Sequence, residues 1–273
     1  MRFFSAFGAR FRPVLDLVFP PRCVYCGQLG AWLCDACQQE AQPIGENICI
    51  RCGNPLTVRG LCQHCRQYPP DPLRGIRGVF FYNGPIAQGI RSLKYHDVRP
   101  LAPILARHLA SYIRERSVLF DGLVPVPLHP EKLAARGFNQ SELLAANVSK
   151  MLNIPLRIDL LERTRPTRPQ AQLNRRQRLQ NVADAFAPMR DIRLHGETLL
   201  LIDDVATTGA TLRACGRALR QAGAGDIWAL TVARAHVNTV LPPDQSGLTP
   251  AEAFLFWDGD RKRQSSDSLH PLI

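Results

Sequence analysis

The run LLLIDDVATTGATL, residues 199–212, constrains the fold of this 273-residue chain more than any other segment. Four consecutive apolar residues, Leu199 to Ile202, predict a short buried strand of a parallel sheet. Two adjacent carboxylates, Asp203 and Asp204, end the strand, and a turn of small residues then opens into a predicted helix. Open α/β folds bind ligands at the carboxyl ends of their strands, and helix N-termini attract phosphate. The segment therefore predicts a site for a ligand with both hydroxyl and phosphate groups.

Two common nucleotide-binding motifs are missing from the sequence, which contains neither a P-loop run nor a GxGxxG run after a strand. Residues 199–212 instead resemble the phosphoribosyl pyrophosphate (PRPP) signature of type I phosphoribosyltransferases. In those enzymes the acidic pair holds the ribose hydroxyls, a role that the resemblance assigns to Asp203 and Asp204. The residues that correspond to the loop around the 5′-phosphate are Ala206, Thr207, Thr208, Gly209, Ala210 and Thr211.

Eight of the nine cysteines form four CxxC motifs: Cys23/Cys26, Cys34/Cys37, Cys49/Cys52 and Cys62/Cys65. Each motif presents two thiolates to one metal ion, so the four motifs predict two structural zinc sites with four cysteines each. Disulfides would require an oxidising compartment, and a thioredoxin-like redox centre uses a single CxxC motif. We favour pairing of consecutive motifs. A cross-braced arrangement, in which the first motif joins the third and the second joins the fourth, is the alternative.

Strands and helices alternate in the pattern of the rest of the chain, which predicts an α/β fold with a parallel sheet flanked by helices. The predicted segments are strand 78–84, helices 86–95 and 100–116, strand 123–127, helix 141–152, strand 199–203, helix 211–222 and strand 227–233. A proline-rich run separates these segments from the cysteine motifs and predicts a boundary between two domains. We expect a zinc module at 19–68, a second domain at 74–236, and a partly disordered C-terminal extension at 237–273.

Three separated motifs resemble the ComF family of competence-associated proteins: LDLVFPPRCVYCG, LVPVPLHPEKLAARGFNQSELLA and the 199–212 run, in that order. The similarity covers roughly residues 13–236. It implies a zinc-binding module followed by a type I phosphoribosyltransferase fold. It also implies a link to natural transformation and to the handling of incoming single-stranded DNA.

The resemblance further implies which cations face the pyrophosphate of PRPP. Residues 128–136 correspond to a pyrophosphate-binding loop, in which Lys132 and Arg136 are the candidates and Arg136 is also a catalytic candidate. Residues 163–181 contain six arginines and no acid. In phosphoribosyltransferases a loop in this part of the chain closes over the site, which makes Arg178 a second catalytic candidate. Mg²⁺ is expected to accompany PRPP, because it is a hard cation suited to phosphate oxygens.

The charge of the chain, +11 with a pI near 9.6, favours an anionic polymer such as nucleic acid as a further partner. Aromatic residues make up only 7%, which is few for a base-stacking surface, so binding to the nucleic-acid backbone is expected rather than sequence readout. No apolar run approaches the ~20 residues of a membrane span. The basic N-terminus lacks the continuous apolar stretch of a signal peptide, which predicts a cytoplasmic protein.

Three functions agree with these features. The first is transfer of a phosphoribosyl group from PRPP to an acceptor that no motif identifies. The second is handling of single-stranded DNA, with PRPP or a related nucleotide as ligand. The third is a regulator that senses PRPP without transfer. The acidic pair predicts ligand binding in all three, and a fold by itself does not choose between them.

Overall fold

A computed structural model describes residues 20–67, 71–116, 118–164 and 185–235 of the chain. Its elements in chain order are α1 (Asp35–Gln39), α2 (Gln63–Gln67), β1 (Gly75–Phe81), α3 (Gly84–Tyr95), α4 (Leu101–Arg114), β2 (Gly122–Pro125), α5 (Pro130–Arg136), α6 (Gln140–Leu152), β3 (Leu161–Arg163), β4 (Phe186–Pro188), β5 (Leu199–Ala206), α7 (Ala210–Gln221) and β6 (Ile227–Arg234). The predicted alternation of strands and helices is therefore confirmed.

The central sheet has four parallel strands in the order β1-β6-β5-β2. Side chains of β5 alternate between two apolar layers, because successive residues of a strand point to opposite faces. Leu200 and Ile202 pack in the layer that contains residues of α3, α4 and α6, whereas Leu199 and Leu201 pack in the layer that contains residues of α7. Helices cover both faces, as the continuous apolar run of β5 predicts.

The segment after β2, which the resemblance compares with a loop, forms the short helix α5 instead. The Nδ1 atom of His129 accepts a hydrogen bond from the backbone N–H of Glu131, and Pro130 occupies the first helical turn. Gly137 ends the helix with a φ of 78°, in the left-handed region that glycine adopts without strain. These three residues are ordinary signals for the start and end of a helix, so the loop prediction for 130–136 is wrong.

The cysteine-rich region lies along β1, which is an edge strand of the sheet. The N–H of Ile44 donates to the carbonyl of Val79 at 2.9 Å, and the N–H of Ile76 donates to the carbonyl of Arg51 at 3.0 Å. Backbone groups at a sheet edge need partners or water. The cysteine-rich region thus supplies partners to an edge that would otherwise be open to pairing with another chain.

Strands β3 and β4 form a separate antiparallel pair that the sequence pattern did not predict. They bracket residues 165–184, which lie outside the described part of the chain, as do Arg178 and the extension at 237–273. Leu161 and Phe186 are buried in the same apolar layer as Leu199. Within the described residues, no helix has the length and apolar character needed to cross a membrane.

Candidate functional site

The eight motif cysteines form two clusters of four, and each cluster joins consecutive motifs. Within each cluster the Sγ atoms all lie within 4.8 Å of one another, and the clusters are Cys23, Cys26, Cys34, Cys37 and Cys49, Cys52, Cys62, Cys65. This arrangement confirms the favoured pairing and shows that the cross-braced alternative is wrong. We call these clusters the first and the second zinc centre.

The geometry of both clusters fits a tetrahedral zinc ion. Sγ atoms lie 3.6 Å apart between Cys26 and Cys34, and 3.7 Å apart between Cys52 and Cys62. A Zn–S bond of about 2.3 Å places neighbouring sulfurs of a tetrahedron about 3.8 Å apart. Backbone N–H groups also donate to sulfur in both clusters, as from Cys62 to Cys49 at 3.4 Å, which stabilises thiolates. These are two four-cysteine zinc-binding sites.

The acidic pair lies at the carboxyl end of β5, and its two carboxylates have different partners. Oδ1 of Asp203 accepts hydrogen bonds from the Ser141 hydroxyl at 2.7 Å and from the Asp204 backbone N–H at 2.9 Å. Oδ2 of Asp204 lies 2.5 Å from the Lys94 ammonium, and the Asp204 side chain is only 4% exposed. Asp204 therefore has a cation as its partner, whereas Asp203 has neutral donors.

Burial raises the pKa of Asp203, the neighbouring carboxylate of Asp204 adds to this shift, and the resulting pKa is about 7. The Ser141 hydroxyl and the Lys94 ammonium act in the opposite direction and are too weak to reverse the shift. For Lys94, burial alone would lower the pKa, but Asp204 more than compensates and the net shift is upward. Near neutral pH the site thus holds one paired carboxylate and one that is close to its midpoint.

The turn between β5 and α7 places the predicted phosphate-binding residues next to the acidic pair. Gly209 precedes the helix with a φ of 76°, and a Cβ atom there would lie 2.5 Å from Cδ1 of Ile76. Thr208 is buried, and its carbonyl accepts a hydrogen bond from Arg213 Nη1 at 2.7 Å. Arg213 also forms an ion pair with Asp71 at 2.5 Å. The Arg213 side chain therefore connects the backbone of the turn to Asp71.

The two predicted pyrophosphate-side residues belong to a group of four cations near the acidic pair. Partial burial lowers the pKa of Lys132, and the positive charges of Arg163, Arg136 and Lys94 lower it further. Burial also lowers the pKa of Arg163, whereas Asp203 is among the groups that oppose this shift. A place where three positive charges lower the pKa of a neighbouring lysine is one where an anion is stabilised. We call Lys94, Lys132, Arg136 and Arg163 the cation cluster.

Three residues of this site were not assigned to it from the sequence: Lys94, Ser141 and Arg163. Ser141 directly follows the RGFNQ run that resembles the family, so its position carried a signal. Arg163 was one of six arginines in a basic segment, with nothing to separate it from the others. Lys94 ends an amphipathic helix, where a lysine is ordinary. Only the folded chain brings it within 2.5 Å of Asp204.

The different partners predict opposite effects of two isosteric substitutions on stability. The pKa of Asp203 is raised from 3.8 to about 7, so the folded state binds more protons than the unfolded state between these values, and stability falls as pH rises through this range. Asp203→Asn keeps the acceptor for Ser141 and removes that loss. We expect it to stabilise the fold by about 1–3 kcal/mol near pH 8 and to have no such effect near pH 4.

Asp204→Asn should instead destabilise the fold by about 1–3 kcal/mol near pH 8, because it leaves the Lys94 ammonium without its buried partner. Chemical denaturation of both variants at the two pH values measures these changes. Equal effects of the two substitutions would show that the carboxylates do not differ as described.

Comparison with known protein families assigns both parts of the chain. The model of the double zinc ribbon domain matches residues 14–66, and that of the phosphoribosyl transferase domain matches residues 139–254. Among solved structures, adenine phosphoribosyltransferase from Thermoanaerobacter pseudethanolicus is 15% identical, with a TM-score of 0.33 over 58% of this chain and 90% of that one. At this level the structural match carries no argument about ligand or activity.

Curated relatives match most of the chain. DNA utilization protein YhgH of Escherichia coli K12 is 32% identical over an alignment of 226 positions that covers 78% of this chain and 98% of the relative. Competence protein F of Haemophilus influenzae is 30% identical over 78% of this chain and 97% of the relative. Competence protein ComFC of Bacillus subtilis is 28% identical over 70% and 79%. The chain therefore belongs to the ComF family of competence proteins, in which a double zinc ribbon precedes a phosphoribosyltransferase-type domain.

Proposed function

We propose that the carboxyl end of β5 binds PRPP and that the chain is a phosphoribosyltransferase. No sequence motif identifies the acceptor of the phosphoribosyl group. The observation that carries this proposal is the meeting of a partly buried acidic pair with the cation cluster at one end of a parallel sheet. Ribose hydroxyls need acceptors, and pyrophosphate needs cations. A ligand that contains both groups matches the two sides of the site.

Each part of the ligand has a candidate partner. Asp203 and Asp204 would accept hydrogen bonds from the ribose hydroxyls. The turn from Ala206 to Thr211 would hold the 5′-phosphate at the start of α7, where backbone N–H groups and the helix dipole favour an anion. Lys132 and Arg136 would face the pyrophosphate, which enters with Mg²⁺ as part of the substrate.

The reaction needs a nucleophile that donates an electron pair to C1 of the ribose, while the electrons of the C1–O bond leave with pyrophosphate. Positive charge develops on the ring and negative charge on the leaving group. The cation cluster would stabilise the leaving group, and Arg136 is the catalytic candidate among the described residues. Arg178, the second catalytic candidate, lies outside them. Exclusion of water would prevent hydrolysis of PRPP in place of transfer.

Calorimetric titration with PRPP, pyrophosphate and ribose 5-phosphate tests the binding step. We expect PRPP to bind about 10²-fold more tightly than either fragment, because joining the two groups makes the second contact intramolecular. Affinity should rise between about pH 6 and pH 8, as Asp203 becomes an ionised acceptor. PRPP that binds no better than pyrophosphate alone would show that the acidic pair does not recognise ribose.

Release of pyrophosphate from PRPP, measured against a panel of nucleobases, single-stranded DNA and small amines, tests the transfer step. Release that depends on one acceptor class supports a transferase. Tight binding of PRPP with no release from any acceptor supports the alternative in which the domain senses PRPP and regulates another process. Calorimetry therefore tests the PRPP-binding site, and pyrophosphate release tests the transfer reaction.

Single-stranded DNA handling is the second candidate, favoured by the names of the relatives and by the charge of +11. Replacing Arg175, Arg176 and Arg178 with alanine should weaken binding to a DNA oligonucleotide. The slope of log affinity against log salt should also flatten, by about 2 for three lost phosphate contacts on a single strand. Fluorescence anisotropy over a salt series measures both quantities. If the wild-type protein shows no salt-dependent binding to DNA, the DNA-handling function is rejected.

A further inference from the structure

Both oxygens of the Asp204 carboxylate already have partners within the protein. Oδ1 accepts a hydrogen bond from the backbone N–H of Val205 at 2.8 Å, and Oδ2 forms the ion pair with Lys94 at 2.5 Å. Oδ2 is buried, and the Lys94 ammonium is its one partner among the described residues. A ribose hydroxyl therefore reaches Oδ2 only when this ammonium moves aside.

The end of α3 that carries Lys94 also contacts the pyrophosphate side of the site. Tyr95 follows Lys94, and the guanidinium carbon of Arg136 lies 5.6 Å from the centre of the Tyr95 ring. The charge of Lys94 is also among those that lower the pKa of Lys132. Lys94 thus lies between the acidic pair and the two residues proposed to face the pyrophosphate.

The Lys94 side chain can change partners without movement of its helix. Ile90 and Leu93 are fully buried in the apolar layer and hold α3 in place. The Lys94 side chain is 19% exposed, which leaves one side of it open to solvent and to a ligand. Its ammonium has three donors on a flexible four-carbon stem. The backbone position is therefore fixed, whereas the charged end is free to turn.

Breaking the ion pair is unfavourable unless both charges receive new partners, because each is largely removed from water. Ribose 5-phosphate offers hydroxyl donors to Asp204 but no pyrophosphate to Lys94. Pyrophosphate offers acceptors to Lys94 but no donor to Asp204. PRPP carries both groups, so it supplies a partner to each member of the pair.

We propose that Lys94 couples recognition of ribose to recognition of pyrophosphate. Its ammonium moves from Asp204 to the pyrophosphate oxygens, and a ribose hydroxyl takes its place at Oδ2. Lys94 is then a specificity-determining residue that favours PRPP over ligands that contain one of the two groups. This inference rests on the proposed PRPP site and adds to the advantage that PRPP has from linking the groups covalently.

Titration calorimetry of the full chain with ribose 5-phosphate, in magnesium buffer with and without saturating pyrophosphate, tests the coupling. In wild type, we expect pyrophosphate to tighten binding of ribose 5-phosphate by about 5-fold or more, the usual range for coupled sites. Lys94→Met should lose this gain, whereas Lys94→Arg should keep most of it because it retains the charge. Coupling through magnesium would be present in all three proteins, so the difference between them isolates Lys94.

The affinity for ribose 5-phosphate alone gives a second readout with a distinctive sign. Lys94→Met should bind it about 2–5-fold more tightly than wild type, because Oδ2 no longer has an ammonium to release. A purely electrostatic role predicts the opposite, since loss of a cation weakens binding of an anion. Lys132→Met is the matched control. Lys132 is exposed and makes no ion pair with Asp204 in the described ranges, so its loss should weaken PRPP binding without this gain.

Zinc content and circular dichroism check that the variants fold. Should Lys94→Met not fold, Lys94→Gln replaces it and the coupling measurement decides. Equal coupling in wild type and the neutral variant, or weaker binding of ribose 5-phosphate by Lys94→Met, overturns the role of Lys94 and leaves the PRPP site in place. Wild-type protein that binds neither PRPP nor ribose 5-phosphate rejects the proposed function and this inference with it.

Discussion

Replacing Asp203 and Asp204 together with asparagine is expected to lower PRPP affinity by at least about 10²-fold. Each carboxylate would accept a charge-assisted hydrogen bond from a ribose hydroxyl, and such bonds contribute about 1.5–3 kcal/mol each. A loss of about 3 kcal/mol corresponds to roughly 10²-fold in the dissociation constant. The amide keeps the shape of the side chain and one acceptor oxygen, so the loss isolates the charge.

Structure should survive this double change, because the single substitutions have opposite expected effects on stability. Asp203→Asn relieves a buried carboxylate, whereas Asp204→Asn leaves Lys94 without its partner. Calorimetric titration with PRPP measures the affinity, with zinc content and circular dichroism as checks of folding. Asp226→Asn is the matched control, since Asp226 precedes β6 at the other end of the sheet and pairs with Arg74 at the surface. A folded double variant with wild-type affinity for PRPP would exclude the acidic pair from the binding site.

Removing zinc is expected to produce the largest loss of stability. The apolar cluster of the second ribbon consists of Cys49, Cys52 and Cys65 with a few partly buried neighbours, which is too small to fold without metal. Structural zinc sites contribute about 10–16 kcal/mol of apparent binding free energy to folding. The ribbons also supply the backbone partners of β1, so their unfolding exposes an edge of the central sheet.

We expect a strong chelator to lower the midpoint of thermal unfolding by about 10 °C or more, since about 1 kcal/mol shifts a domain of this size by 2–4 °C. Differential scanning calorimetry measures the shift, and addition of zinc before heating should restore the original midpoint. The same chelator already loaded with zinc is the control. An unchanged midpoint in protein shown to be free of metal would mean that the ribbons fold without zinc.

Several features of the fold could be predicted because they depend on residues that are close in sequence. The buried strand at 199–202 is an unbroken apolar run, and α6 has an asparagine whose side chain accepts the N–H of Ser141 at its start. The pairing of cysteine motifs follows the chain for the same reason. Each of these features is specified within one short stretch of the chain.

Other features depend on contacts between distant residues and could not be predicted. Ser141 and Asp203 are 62 positions apart, and their hydrogen bond exists only because α6 packs beside β5. Lys94 comes from α3, which six further elements separate from β5 in the chain, and a lysine at a helix end has no pattern that separates it from surface lysines.

The central claim, that the carboxyl end of β5 binds PRPP, is tested most directly by hydrogen exchange measured with and without the ligand. PRPP should slow exchange of backbone amides in peptides that span residues 203–211, and also near Lys132 and Arg136. Ribose 5-phosphate should protect the first region only, because it lacks the pyrophosphate. Saturating PRPP that leaves residues 203–211 unprotected, or protects a different part of the chain, would contradict the account.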